Sequence, residues 1–222
     1  MAFTLVKPDG FDFRAGQYVE LVLSSFHTQD WKGNARTFSL ASAPYERDLQ
    51  IAMRMNGTAY KRFLADSPLG TGVELRGPVG EFQLDENGSR PAVLLAGGIG
   101  IAPFLSMIRQ AVADNDEHQL YLFYSNRRPE DAAFLAELEA AQKKHARFHL
   151  IATMAEMEKS KRPWSGERGF INAEMLKRHL PSISGPIYYI AGPPGMVAAM
   201  RDMLVKAGVD EDDVRAEDFA GY

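Results

Sequence analysis

Residues 92–108 read AVLLAGGIGIAPFLSMI, an apolar run that empties into Gly97, Gly98 and Gly100 before a stretch of helical period. Positions without Cβ let a backbone approach a pyrophosphate, and the free N–H groups and dipole of a helix start favour its charge. Pro103, with its fixed φ and missing N–H, predicts the start of that helix. The spacing is not G-x-G-x-x-G, because Pro103 holds the last position, so a tight packing turn is an equal reading of the same residues. A second apolar run, IYYIA, ends in Gly192, Pro193 and Pro194. It leads into a helical stripe of Met196, Val197, Met200, Met203 and Leu204 that stops at Gly208. Between the two, LYLFY runs into Ser125, Asn126, Arg127 and Arg128. A guanidinium there can grip a ribose 2′-phosphate; at Arg128, capping the turn that carries Pro129, Glu130 and Asp131 is the other reading.

The first half of the chain holds a different set. Arg36 leads the bland run RTFSLASAP, Thr58 sits in GTAYKRFL, and Gly77 and Gly80 frame GPVGEF. Arginine pairs with phosphate oxygens, a serine such as Ser39 can offer a hydroxyl to a ring nitrogen, and Thr58 before a short helix can hold another phosphate oxygen. Each residue alone also reads as ordinary surface, strand or turn chemistry.

Two kinds of element must position these residues. Up to about residue 88, the short β-prone runs FTLV, QYVELVL, RTFSL, LQIAMRM and GVELRG are broken by Gly, Pro and Asp, which predicts a small antiparallel barrel or sandwich with one helical piece at Tyr60 to Leu64. Beyond it, continuous apolar runs at 92–96, 120–124, 148–152 and 187–191 alternate with helical stretches at 104–113, 131–144, 173–179 and 195–207. That alternation predicts a parallel, doubly wound sheet, with the boundary between the halves near Asn87 to Pro91.

Composition narrows the chemistry further. The 222 residues include no cysteine, which excludes thiolate metal sites, iron–sulfur ligation and a cysteine nucleophile, so redox chemistry would run on a bound organic cofactor. A net charge of −4 argues against nucleic acid as a partner. No membrane span or signal peptide is evident, and a cytoplasmic protein is expected. His27, His118, His145, His149 and His179 show no metal-ligand spacing, and no metal is expected.

Taken in order, RTFS, GTAYKRFL, GPVGEF, GGIGIAP, YSNRRPED, WSGERG, AGPPGMV and the terminal EDFAGY closely resemble the ferredoxin–NADP reductase family of flavoproteins. The resemblance implies a flavin-binding β-barrel over 1–88, carrying FAD rather than FMN, and an NAD(P)-binding domain over 89–222. Arg36 would hold the flavin diphosphate, with Thr37 beside it. Phe38 would lie beside the isoalloxazine and Ser39 near its N5; Met53 would join the flavin contacts, and Gly57, Thr58 and Ala59 form the second phosphate turn. Gly97, Gly98, Gly100, Ile101, Ala102 and Pro103 would receive the pyrophosphate of NADPH or NADH. Ser125, Asn126 and Arg127 would take the adenosine end, the two arginines leaning towards NADPH. Gly192, Pro193, Pro194 and Met196 would take the nicotinamide side. Glu217 and Phe219 match the terminal E-x-F that flanks hydride transfer, and Tyr222 would cover the flavin.

The implied activity is a reductase passing hydride from NAD(P)H to FAD and electrons onward to a separate ferredoxin, flavodoxin, oxygenase component or small acceptor. A non-catalytic flavin- or nucleotide-binding redox sensor or electron-transfer subunit is the alternative. Three departures bear on the choice: Phe38 stands for the usual tyrosine, Ala191 for a frequent cysteine, and the family's first barrel strand is missing ahead of Phe3.

Overall fold

The computed structural model describes residues 1–26, 33–85 and 88–219, so His27, Asn87 and Tyr222 lie outside the described residues. Five short strands form the first half: β1 (Ala2–Val6), β2 (Tyr18–Val22), β3 (Ala35–Ser39), β4 (Asp48–Ala52) and β5 (Glu74–Val79). β1 pairs antiparallel with β4, and β2 lies between β3 and β5, again antiparallel. A bridge from Leu40 to Ile51 joins the two sheets into a small barrel around Val19, Leu21, Leu49 and Ile51. Helix α1 (Ala59–Asp66) closes one side by burying Tyr60, whose hydroxyl donates to the Leu21 carbonyl at 2.7 Å. That bond lets a phenol sit in an apolar core without an orphaned donor.

The second half is a six-stranded parallel sheet. In chain order its strands are β6 (Ala92–Gly97), β7 (Leu120–Asn126), β8 (Phe148–Met154), β9 (Glu167–Arg168), β10 (Ile187–Gly192) and β11 (Val214–Asp218), arranged β11-β10-β6-β7-β8-β9. Every residue of β6 and β10 is buried, because helices cover both faces. On one face, α2 (Ile101–Asp114) and α3 (Leu135–Lys144) pack Phe104, Leu105 and Leu138 against Leu94 and Tyr189. On the other, α4 (Ala173–His179) and α5 (Pro194–Lys206) pack Leu176, Met200 and Leu204 against Val93 and Leu95. Truncating any of these buried leucines to alanine costs roughly 2–5 kcal/mol.

The halves are locked through α2. Ser106 donates from Oγ to the Ser42 carbonyl at 2.6 Å, and Arg109 reaches the Ala41 carbonyl at 3.1 Å while forking onto Glu137. At Gly16 (φ +102°), an added Cβ would stand 1.9 Å from the Phe82 carbonyl oxygen, so only glycine lets the lead-in to β2 touch the segment that leaves the barrel.

Three local expectations are corrected. Helix α2 begins at Ile101, after a 3-10 turn over Gly98–Gly100, and Pro103 falls inside its first turn, where no N–H is required. The stretch 131–144 is not one helix: a 3-10 turn covers Pro129–Asp131, Phe134 adopts φ +61°, and α3 starts at Leu135. The Tyr124 hydroxyl, donating to the Ala133 carbonyl at 3.1 Å, holds that break. Strands β9 and β11 escaped the apolar-run criterion, since β9 has two residues and β11 reads VRAED. No helix among the described residues is long and apolar enough to cross a membrane.

Candidate functional site

A crevice of about 620 Å³ opens where the parallel strands end. Its walls come from the turn after β6 (Gly97, Gly98, Ile99), the end of β7 (Ser125, Asn126, Arg127), the segment after β8 (Ala155, Glu156), Phe170 after β9, and Pro193, Gly195 and Met196 entering α5. Carboxyl ends of strands in an open parallel sheet are where such folds receive ligands. The two glycine turns touch: an added Cβ on Gly97 would lie 2.2 Å from Met196 Sδ, and one on Gly192 would lie 3.2 Å from Gly97 Cα. One on Gly100 would lie 2.3 Å from the Ala191 carbonyl oxygen. Packing and ligand approach therefore divide the motif. Gly97 and Gly98 line the crevice, whereas Gly100, Ile101, Ala102 and Pro103 are buried beneath it. Among the arginines expected to meet an adenosine phosphate, Arg128 forks onto Asp131 at 2.8 and 3.0 Å, and Arg127 faces Glu156 at 3.6 Å. Asn126 is buried with neither amide atom in a hydrogen bond of ordinary geometry.

A second cavity, of about 260 Å³, lies between the barrel and the end of the parallel sheet. Tyr18, Thr37, Phe38 and Ser39 come from the paired strands β2 and β3; Glu217, Asp218 and Phe219 come from the end of β11. Antiparallel register sets Tyr18 directly opposite Ser39, and a Cβ on Gly80 would press the Tyr18 ring at 3.1 Å. The Ser39 hydroxyl is buried and has no hydrogen-bond partner. No cation stands beside Glu217 among the described residues, and desolvation alone raises its carboxyl to about 7. The two cavities share a wall: Ala191 pairs with Glu217 and Gly192 with Asp218 in parallel register, and the Phe219 N–H donates to the Gly192 carbonyl at 3.0 Å.

The remaining predicted residues gather at the start of α1. Thr58 is its N-cap with no side-chain capping bond, preceded by Gly57 at φ +75° and followed by Ala59. The Arg36 guanidinium lies 4.9 Å from the Tyr60 ring centroid and donates to the Ala35 carbonyl at 2.7 Å and the Gly33 carbonyl at 3.0 Å. Lys61 donates to the Arg54 carbonyl at 2.8 Å. Burial, then the Arg36 and Arg54 charges, push its ammonium below the ordinary lysine range. A cluster of like charges at a helix N-terminus is the electrostatic condition that favours an anion. Met53 is 2% exposed in the barrel core and Pro194 is exposed at the start of α5, so neither lines a cavity.

Sequence reasoning missed Arg54, Tyr18, Glu156 and Phe170. Arg54 comes from the barrel yet lines the crevice of the other half, with Nη2 4.0 Å from a Cβ built on Gly98. No local pattern announces that approach. Glu156 had a signal, since it follows an apolar run just as Ser125 does.

Residues 94–202 match the family model described as an oxidoreductase NAD-binding domain. The chain is similar to NADH-cytochrome b5 reductase 1 of Mortierella alpina, at 32% identity over 152 residues, which is 68% of this chain and 50% of that protein. It is similar along 98% of its length to the glycine betaine monooxygenase reductase subunit of Chromohalobacter salexigens, at 26% identity and covering 59% of that subunit. The chain thus spans little more than half the length of these two relatives. A ferredoxin NADP+ reductase from Neisseria gonorrhoeae, solved with bound FAD and NADP, has the same fold: TM-score 0.80, 24% identity, 98% of this chain and 91% of that one.

Proposed function

The chain belongs to the ferredoxin–NADP reductase type of flavoproteins, and on that premise we propose that it is an NAD(P)H-dependent flavoprotein reductase serving a separate electron acceptor. The observation that carries this reading is the shared wall between the two cavities, where Phe219 is tied to Gly192 and Glu217 runs beside Ala191. In this reading residues 1–88 hold the flavin and residues 89–222 hold the nicotinamide nucleotide.

The residues present fit flavin adenine dinucleotide. A buried hydroxyl without a partner at Ser39 and an uncompensated carboxyl at Glu217 await a polar ring edge, and the cations around α1 await a diphosphate. Arg36 and Thr58 would hold the phosphates; Phe38 and Ser39 would lie against the ring. FAD held by these residues would supply the redox chemistry, hydride acceptance from the reduced nicotinamide and electron delivery to the acceptor. The protein orients and insulates. Gly97 and Gly98 admit the pyrophosphate, with Arg54 beside it, and Met196 bounds the nicotinamide side. Phe219 keeps water from the junction. Glu217, with its carboxyl raised to about 7, titrates around neutral pH and can both take up and release a proton there.

Anaerobic titration tests the reading. The purified chain, supplied with FAD, should show a visible flavin band that bleaches when reduced nicotinamide dinucleotide is added. A band that persists points to a non-catalytic binder, and failure to retain flavin refutes the proposal.

A further inference from the structure

Helix α2 serves the crevice through its start and the barrel through its side. Its start follows the turn over Gly98–Gly100, and Gly98 lines the crevice. Ser106, about 7.5 Å of helix rise past Ile101, is fully buried, and its Oγ donates to the Ser42 carbonyl at 2.6 Å. Nearly one turn further, Arg109 donates to the Ala41 carbonyl at 3.1 Å and faces Glu46 at 3.3 Å. The loop that receives these bonds is itself fixed. Ala41 donates its N–H to the Gln50 carbonyl at 2.7 Å, Ser42 Oγ accepts from the Gln50 N–H at 3.0 Å, and Glu46 accepts from the Ala43 N–H at 2.8 Å. Ala41 is buried in the core of the second half although it belongs to the first. It follows closely on Ser39, which lines the cavity read as the flavin site. By contrast, Arg215 donates to the Gln83 carbonyl and the Tyr189 hydroxyl accepts from the Asp85 N–H, both at 3.0 Å and both on the segment that joins the halves.

We propose that Ser106 and Arg109 are positioning residues for hydride transfer: through the Ala41 and Ser42 carbonyls they fix the spacing between the nucleotide crevice and the flavin cavity. The proposal rests on the reading of the chain as a reductase. Hydride transfer needs its two reacting atoms close to contact, and a displacement of about 1 Å costs such a step about 10²-fold. Neither residue lines the crevice or the Ser39 cavity, so neither touches a nucleotide or a flavin held there. Loosening them therefore separates binding from chemistry: both cofactors stay bound while the step between them slows. The two carbonyls suit the task because β4 holds their loop, so they do not shift with a side-chain rotamer.

Anaerobic rapid mixing of the FAD-loaded chain with excess NADH or NADPH tests this. In Ser106→Ala the limiting rate of flavin bleaching should fall about tenfold, and in Arg109→Lys at least as far, while the dissociation constants for nucleotide and flavin move less than about threefold. The long-wavelength charge-transfer absorbance between reduced nicotinamide and oxidised flavin should weaken in both. Because the chain has no cysteine, spin labels on Asp48→Cys and Glu139→Cys, exposed sites in opposite halves, report the separation of the halves without turnover. That distance distribution should broaden in Ser106→Ala. Glu137→Gln breaks the fork inside the second half and spares the bonds to Ala41 and Ser42, so it should lower Tm yet leave bleaching rate and label distance unchanged. If Arg109→Lys does not fold, Ser106→Ala, which removes a single oxygen, decides alone. Variants that lose Tm but bleach at the original rate overturn the proposal and leave both residues structural. So does a loss confined to the dissociation constants. An unmodified chain that binds both cofactors without bleaching overturns the reductase reading, and the proposal with it.

Discussion

The cavity at Ser39 and the crevice at Gly97 share a wall at the ends of β10 and β11, yet they are built on different plans. Around Ser39, a hydroxyl without a partner and a carboxyl without a cation meet from strands almost 180 positions apart in sequence. In the crevice, Arg127 meets Glu156 and Arg128 meets Asp131, and most of the walls are consecutive strand ends of one sheet. The first arrangement keeps the Ser39 hydroxyl buried and unsatisfied and the Glu217 carboxyl partly desolvated, which costs stability and makes both responsive to whatever binds. The second is largely satisfied on its own, by ion pairs already in place.

The strongest way to break this comparison acts on the shared wall. Gly100→Ala places a methyl 2.3 Å from the Ala191 carbonyl oxygen and 2.8 Å from Gly192 Cα, both backbone, so the cost should be about 3 kcal/mol by chemical denaturation. Gly98→Ala meets only the end of the Arg54 side chain, at 4.0 Å, and suffers mainly from φ +56°, at about 1 kcal/mol. Equal losses would mean that Gly100 is not there for packing.

A smaller effect sharpens the electrostatic contrast. Because the native state holds the Glu217 proton to about 7 while an unfolded glutamate releases it near 4.5, the native chain binds more protons across that window and loses stability as pH rises through it. Glutamine mimics the protonated carboxyl. Glu217→Gln should therefore gain in Tm over the unmodified chain as pH is raised from about 5 to about 8, with little difference at the acid end. A constant offset at every pH would show that the carboxyl is compensated after all.

Subtlest in stability terms is Ser39→Ala. Removing a buried hydroxyl that has no partner should leave the flavin-free chain within about 0.5 kcal/mol of its original stability. If that hydroxyl meets the flavin ring, the same change should weaken flavin retention about tenfold in a fluorescence titration. Loss of stability without loss of flavin affinity would instead assign Ser39 to the fold.

Much of this was legible in the chain itself where the signal is local. The runs AVLLAGG and IYYIAG mark central strands, since only segments covered on both faces are apolar at every position. Thr58 before AYKRFLAD marks a helix start. Where the signal depends on approach across the sequence it vanished. Arg54 belongs to the barrel but enters the crevice of the other half, and Tyr18 reaches Ser39 only through the register of β2 on β3. The run from Asp131 looked continuous because helical period says nothing about the Tyr124 hydroxyl that holds the break at Ala133.

By itself, then, the sequence determined the order of the central strands and most helices, the two glycine turns and the family's motifs, because turn geometry and hydrophobic period are properties of neighbouring residues. Tertiary structure decided which members of those motifs line an open crevice and which are packing. Gly98 borders the crevice with only the end of Arg54 near it, Gly97 lines the crevice but is pressed by Met196, and Gly100 is pressed against β10. It also decided the charge of the site: an arginine read alone is a phosphate grip, and an arginine 3.6 Å from Glu156 shares that carboxylate with Lys159. Electrostatic character depends on distance in space, which residue order along the chain does not encode.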